Sequence, residues 1–309
     1  MSTGAAAPIT GRRPPRGLLG ALVAFLLLPF PALFLLGPLG GLLALARPAT
    51  FREWGLLLSV VLLGAMAGAV GDSLAQAVTL AAGLVFTGAF LALLVSRPGP
   101  ALPRATAAAT LTAVTLVAGC AWLGLSWEEV RSALDAQWQN GLTLLLRGST
   151  MPAAQEATMR QGLSAMATVF PGLAFLGALA GGTLATALTG HLADRTGVDA
   201  PDPFTRFRFN DHLIWAALLA LLLVMLGLPA PWDALALNLL VAWAGLYAAR
   251  GLAVWLARAA GWPTPLRLAL FLSAVLLLPY ALGGLLVLGV ADTWLDIRRE
   301  QPPSEGVNS

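Results

Sequence analysis

The chain has 309 residues, of which 58% are apolar and 11% charged, and its formal charge of +3 rests on 18 arginines with no lysine. Soluble domains carry roughly a quarter charged residues, so a water-soluble fold is excluded. A nucleic-acid binder is excluded with it, because such a protein gathers its positive charge on one soluble face. The single cysteine, Cys120, lies between Gly119 and Ala121 in an apolar run, which rules out a disulfide framework or a cysteine-built metal site within one chain and reads as a small buried hydrophobe.

In chain order, Arg12, Arg13 and Arg16 precede an apolar run that starts at Gly17. A secretory signal begins the same way, and Ala44 and Ala46 offer small residues for cleavage, but a signal core covers roughly 7 to 15 residues and this run is far longer. It reads as membrane-embedded. Eight apolar segments follow one another at about residues 17–46, 55–71, 73–95, 105–125, 163–190, 212–230, 234–257 and 264–291. Most match the roughly 20 residues that a helix needs to cross the hydrocarbon. The first and last are longer, and proline interrupts each near its middle in a similar phrase, Leu-Leu-Leu-Pro-aromatic, at Leu26 to Phe30 and at Leu276 to Tyr280.

Arginine placement orients the segments, because short cytoplasmic loops collect positive charge. Eight single crossings with the N-terminus inside put 8 arginines inside and 10 outside, which carries no signal. If the first and last segments each enter and leave on one side, 15 of the 18 fall inside and only Arg131, Arg147 and Arg160 outside, together with Asp72, Glu128, Glu129, Asp135, Glu156 and Asp233. The expected fold is therefore an all-α polytopic transmembrane helix bundle of about eight hydrophobic segments, six full spans plus two Pro-bent terminal hairpins whose short halves are re-entrant candidates. Eight simple spans are the alternative. One integral membrane domain over residues 17–299 is expected between cytoplasmic tails at 1–16 and 300–309, in a bacterial-type inner membrane with both termini cytoplasmic.

The sizeable external stretch lies between Ser126 and Gly162, where Trp127, Val130, Leu134, Trp138, Leu142 and Leu145 recur at helical spacing. Ser126 with Glu129 forms a capping box at its start, in which hydroxyl and carboxylate satisfy free backbone donors. This amphipathic helix is either an interfacial lid over the outer mouth or a helix packed on the bundle.

No nucleotide-binding loop, zinc-protease pair or nucleophile elbow is present, and no soluble segment is long enough for a catalytic domain. An ATP-driven pump in one chain is excluded, and no catalytic, cofactor or metal residue is assigned. His191 and His212 bracket one cytoplasmic loop with Asp194, Asp199, Asp202 and Asp211, but nothing there fixes a ligand geometry, and interfacial hydrogen bonding is the favoured role. None of the acids falls at an expected bilayer centre, so a proton relay is not expected. Gln76, Thr79, Thr110, Thr112, Thr115, Asn238 and the backbone freed by Pro29, Pro31, Pro38 and Pro279 are the weaker polar groups left for a ligand, each more readily an interhelical hydrogen bond. Small residues four apart, Gly64 with Gly68 and Gly177 with Gly181, let helix backbones approach, for intrachain packing first and a partner subunit second.

Three late phrases carry a resemblance: Phe207-Arg208-Phe209-Asn210-Asp211-His212-Leu213-Ile214-Trp215, then Gly245-Leu246-Tyr247 with Arg250-Gly251-Leu252-Ala253-Val254, then Asp292-Thr293-Trp294-Leu295-Asp296-Ile297-Arg298. In these the chain resembles the YybS-like family of bacterial membrane proteins, domain of unknown function family 2232, over its membrane part. The resemblance implies no activity and no catalytic residue. In span number and small-residue-rich helices the chain is also similar, at the level of fold, to the substrate-binding subunits of energy-coupling factor vitamin transporters.

Under the expected topology these phrases share the cytoplasmic face, which makes Arg208, Asp211, His212, Arg250, Asp292, Asp296 and Arg298 a candidate polar network. It serves as a docking surface or, the reading favoured on charge pairing alone, as a lock on the helix ends. The function expected is a substrate-binding or transport component without its own ATPase, holding a small, largely apolar or uncharged molecule. The alternative is a scaffold for an envelope or signalling complex, and an integral-membrane enzyme ranks third because His191 and His212 lack a nucleophile or carboxylate at defined spacing. The partners expected are the lipid bilayer and a membrane or cytoplasmic protein, with no nucleic acid and no cofactor.

Overall fold

A computed structural model describes residues 22, 25, 30–48, 50–69, 73–96, 100–147, 151–190, 204–229, 231–259 and 261–297. Both tails, most of the first half of the first segment, His191, Asp194, Asp199, Asp202 and Arg298 lie outside them. The described residues are helical without strands and group into two compact units, one up to residue 201 and one from residue 202. The first unit holds α1 (Leu33–Leu45), α2 (Phe51–Ala69), α3 (Leu74–Ser96), α4 (Ala101–Trp122), α5 (Trp127–Leu145), α6 (Ala153–Thr168) and α7 (Phe170–Thr189). The second holds a 3-10 turn (Phe204–Arg206), α8 (Leu213–Met225), α9 (Trp232–Ala259), α10 (Thr264–Leu276) and α11 (Leu278–Leu295).

Among the described residues, five helices, α3, α4, α7, α9 and α11, are long and apolar enough to cross a membrane, and α1, α8 and α10 are apolar but shorter. The segment boundaries shift accordingly. The segment expected at 163–190 begins inside α6 and breaks at Val169, where Pro171 opens α7. The last segment breaks at Leu277, and Pro279 takes the first turn of α11, where its missing N–H costs no helical hydrogen bond. The two halves are therefore unequal, and the second is long enough to span alone.

In the first unit, α1 lies between α3 and α7. Leu33 packs on Gly83, Gly37 on Thr87 and Gly41 on Leu91, while Phe30 packs on Gly177 and Phe34 on Gly181, so α1 runs parallel to both neighbours. It begins level with Gly83, well inside α3, behind non-helical Phe30 and Pro31. Apolar side chains gain nothing by leaving lipid for protein, so close packing holds this triad. A Cβ on Gly181 would lie 2.3 Å from the Phe34 carbonyl oxygen, so only glycine admits α1 at this distance. Phe86 stacks on Phe90 and meets Phe34 edge-on, both at 5.6 Å, filling the space that Gly182 leaves. Gly177 and Gly181 thus serve packing within the chain.

Beyond the triad, α4 ends in a Schellman turn. Gly124 takes φ +70°, the Leu125 N–H donates to the Cys120 carbonyl at 2.8 Å, and Ser126 then starts α5. Val130 and Leu134 of α5 bury themselves against Ala75 of α3, Ala167 of α6 and Phe170 of α7, with Cys120, Trp127 and Trp138 packed alongside. The amphipathic helix therefore packs across the ends of α3, α4 and α7.

In the second unit, α9 and α11 cross with glycine facing carbonyl in both directions. A Cβ on Gly251 would lie 1.8 Å from the Leu285 oxygen, and one on Gly289 would lie 1.9 Å from the Tyr247 oxygen. Arg250 bonds Asp292, and one turn or two later Arg258 bonds the Ile297 carbonyl, so the two helices advance together and end level. Because α10 starts just after α9 ends, it runs back against α11, and the last apolar segment returns to the end it left.

Candidate functional site

The chemistry of the second unit converges on Arg250. Its Nε donates to Asp292 Oδ2 at 2.9 Å, its Nη2 to the Asp292 carbonyl at 3.2 Å and its Nη1 to Asp211 Oδ1 at 2.5 Å. The guanidinium is 2% exposed and the Asp292 side chain fully buried, whereas the Asp211 side chain is 59% exposed. Arginine suits this place because its planar fork holds two carboxylates at once, as a lysine ammonium would not. The Phe209 ring centroid lies 5.4 Å from the guanidinium carbon, and the same ring meets Tyr247 edge-on at 5.0 Å. The Tyr247 hydroxyl is buried beside Thr293.

The segment before α8 reaches this centre in two places. Asp211 pairs with Arg250, and Arg208 pairs with Asp296 at the left-handed C-cap of α11, where φ is +40°. Of the seven residues that the sequence singled out, five thus form two ion-paired sets: Asp211, Arg250 and Asp292, and Arg208 with Asp296. His212 sits at the N-cap of α8, exposed and without a side-chain capping bond, while its backbone N–H donates to Asn210 Oδ1 at 3.0 Å. Arg298 lies outside the described residues.

The intramembrane polar candidates mostly satisfy themselves. Thr79, Thr110 and Thr112 each donate to the carbonyl one turn back, at 2.8, 3.0 and 2.7 Å, and Asn238 does the same at 2.8 Å. Each of these bonds stays within its own helix. The sequence reading missed the space between α1, α2 and α3, a half-open groove of about 400 Å³ lined by Leu33, Leu36, Gly37, Gly40, Gly41, Val60, Val61, Gly64, Ala65, Leu80, Gly83, Leu84 and Thr87. A Cβ on Gly64 would meet nothing within 4 Å, and the Thr87 Oγ1, buried against Gly37, has no hydrogen-bond partner. The signal was present in the small residues of α1 and α2, but spacing alone does not say which of them face a neighbour.

A second polar seam joins α5 and α6. Asp135 accepts from the Ser164 hydroxyl at 2.8 Å, Gln139 donates to the Arg160 carbonyl at 2.9 Å, and Arg160 pairs with Glu156 at 2.7 Å. At the start of α5 the capping box is closed: the Glu129 N–H donates to Ser126 Oγ at 3.3 Å and Glu129 Oε2 accepts from the Ser126 N–H at 2.7 Å. The backbone hydrogen bond from Ser126 holds the Glu129 carboxyl below its ordinary value, and the hydrogen bond from Arg131 does the same for Glu128.

No curated protein and no solved structure is significantly similar to the chain. One family model, described as a predicted membrane protein, matches residues 18–293 and so takes in both units. With apolar helices long enough to cross a bilayer and a match over nearly its whole length, the chain belongs to the DUF2232 family of predicted membrane proteins.

Proposed function

We propose that this membrane protein is the substrate-binding component of a transport system, holding a small apolar molecule between α1, α2 and α3 and drawing energy from separate subunits. The observation that carries the reading is the half-open groove of about 400 Å³ at the middle of α2 and α3. Its size falls within the roughly 300 to 1,000 Å³ of small-molecule sites. Its wall is almost wholly Leu, Val, Ala and Gly, which selects an apolar occupant. Access comes from the bilayer, because α2 buries Val60 while Leu56, Leu62, Leu63 and Met66 stay exposed, so this helix is the loosest wall. The resemblance in span number to energy-coupling factor subunits supports a separate ATPase pair. The arginine distribution supports an inner-membrane protein with both termini cytoplasmic and the α5–α6 pair outside.

The test is purification of the tagged protein in mild detergent, with mass spectrometry of bound proteins and retained small molecules, beside a Gly64→Phe variant that fills the space. A retained apolar molecule lost in the variant, with ATPase subunits recovered, supports the reading. Envelope or signalling proteins recovered with no small molecule sink it and leave a scaffold.

A further inference from the structure

We propose that the groove between α1, α2 and α3 takes one acyl chain of an anionic phospholipid whose phosphate is held by Arg47 and Arg52. This rests on the reading of the groove as a binding site and names the class of its occupant. Three observations carry it. The first is how the groove opens. Gly37, Gly40 and Gly41 of α1 form its floor and α2 and α3 its walls, and the wall residues Val61 and Leu84 are 55% and 72% exposed. In a bilayer such a trough faces lipid along its length, and a hydrocarbon chain enters it sideways without crossing a polar barrier.

The second observation is the charge at one end. Arg47 lies in the turn from α1 to α2 and Arg52 in the first turn of α2; both are exposed, and among the described residues neither guanidinium has an ion-pair or hydrogen-bond partner. The one acid between Gly17 and Gly71 is Glu53. Its carboxylate accepts the Thr50 N–H and its own N–H donates to the Thr50 hydroxyl, so it closes a capping box on the backbone at the start of α2. Two planar guanidinium forks are thus left to meet an anion, and phosphate matches their geometry. An uncharged apolar molecule would use the groove and leave both arginines idle.

The third observation is distance. At 1.5 Å per residue along α2, Val60 and Ala65 of the groove lie roughly 12 and 20 Å from Arg52. One leaflet of hydrocarbon is about 15 Å deep, so a phosphate at Arg52 sets the far half of its chain beside the groove. Phe51 and Trp54 flank Arg52 and are exposed, as aromatic residues are at headgroup level. The arginine count puts this end on the cytoplasmic side, whose leaflet carries the anionic lipids.

Native mass spectrometry of the full chain in detergent tests this with two lipids of identical chains, phosphatidylglycerol and phosphatidylcholine, the second carrying its own cation beside the phosphate. The proteins compared are the native chain, an Arg47→Gln/Arg52→Gln variant and Gly64→Phe. The native chain is expected to bind phosphatidylglycerol roughly 10- to 30-fold more tightly than phosphatidylcholine. The arginine variant is expected to lose that preference and keep the weaker binding of both lipids, and Gly64→Phe to weaken both; Gly64→Leu takes its place if the ring prevents folding. Equal affinity of the native chain for the two lipids, or a preference that survives the arginine variant, overturns the proposal. The groove reading outlasts that failure if Gly64→Phe still displaces a retained apolar molecule. Lipid binding untouched by Gly64→Phe also overturns the proposal, and with no other molecule displaced the groove reading falls with it.

Discussion

The α9–α11 crossing and the space between α1, α2 and α3 are built from the same material, glycine on apolar helices, and end in opposite states. At the crossing, glycine is consumed by contact: a carbonyl lies where each Cβ would be, and the buried Arg250–Asp292 pair sits one turn away. In the first unit Gly64 faces nothing within 4 Å, and α2 is left as a loose wall. The difference lies in what the neighbouring helix brings. At the α9–α11 crossing a buried charge pair adds to the backbone contact, whereas at Gly64 only apolar side chains are on offer and lipid competes with them on equal terms.

The comparison breaks most sharply at the ion pair. Arg250→Ala leaves Asp292 buried without its cation and is expected to cost about 3 to 5 kcal/mol, read as lost thermal stability in detergent. Gly289→Ala comes next, at about 1 to 3 kcal/mol, because the added methyl must push the Tyr247 carbonyl aside, whereas Gly64→Ala is expected to stay within about 0.5 kcal/mol of the native protein. Equal losses in the two glycine variants would remove the distinction between a closed and an open site. Gly64→Phe sharpens it further: unfolding should change little, while the amount of co-purifying apolar molecule drops.

The smallest expected effect is on α5, read as amide exchange in its first turn against pH. Glu128 and Glu129 are both held below the ordinary carboxylate value when folded, so their contribution is complete above the unfolded value of about 4.3 and is lost as pH falls through the depressed folded values. Measured against the intrinsic rate at each pH, exchange in that turn should stay slow near neutrality and rise in acid below the usual carboxylate range, while α9 and α11 stay protected. A rise already at neutral pH would remove the capping box as its cause.

Much of the fold was legible because hydropathy and punctuation are local. The Ser126 and Glu129 spacing gave the capping box, and the apolar runs gave the cores of α3, α4 and α9. Pro279 marked the bend of the last segment, whereas the run around Pro171 read as continuous because apolar composition does not stop where a helix bends. The candidate network was half legible: charge type and shared membrane face brought out Arg208, Asp211, Arg250, Asp292 and Asp296, but not which acid would be buried. That depended on the Gly251 and Gly289 crossing, which draws Asp292 inward and leaves Asp211 on a segment outside it.

The sequence by itself determined the solvent, the helical class and the chemical character of each helix end, since these follow from composition and from hydrogen bonds closed within a few residues. Tertiary structure alone decided which glycines are filled, which aspartate holds Arg250 and where a cavity remains, because those depend on the distance between helices far apart in the chain, and only packing sets that distance.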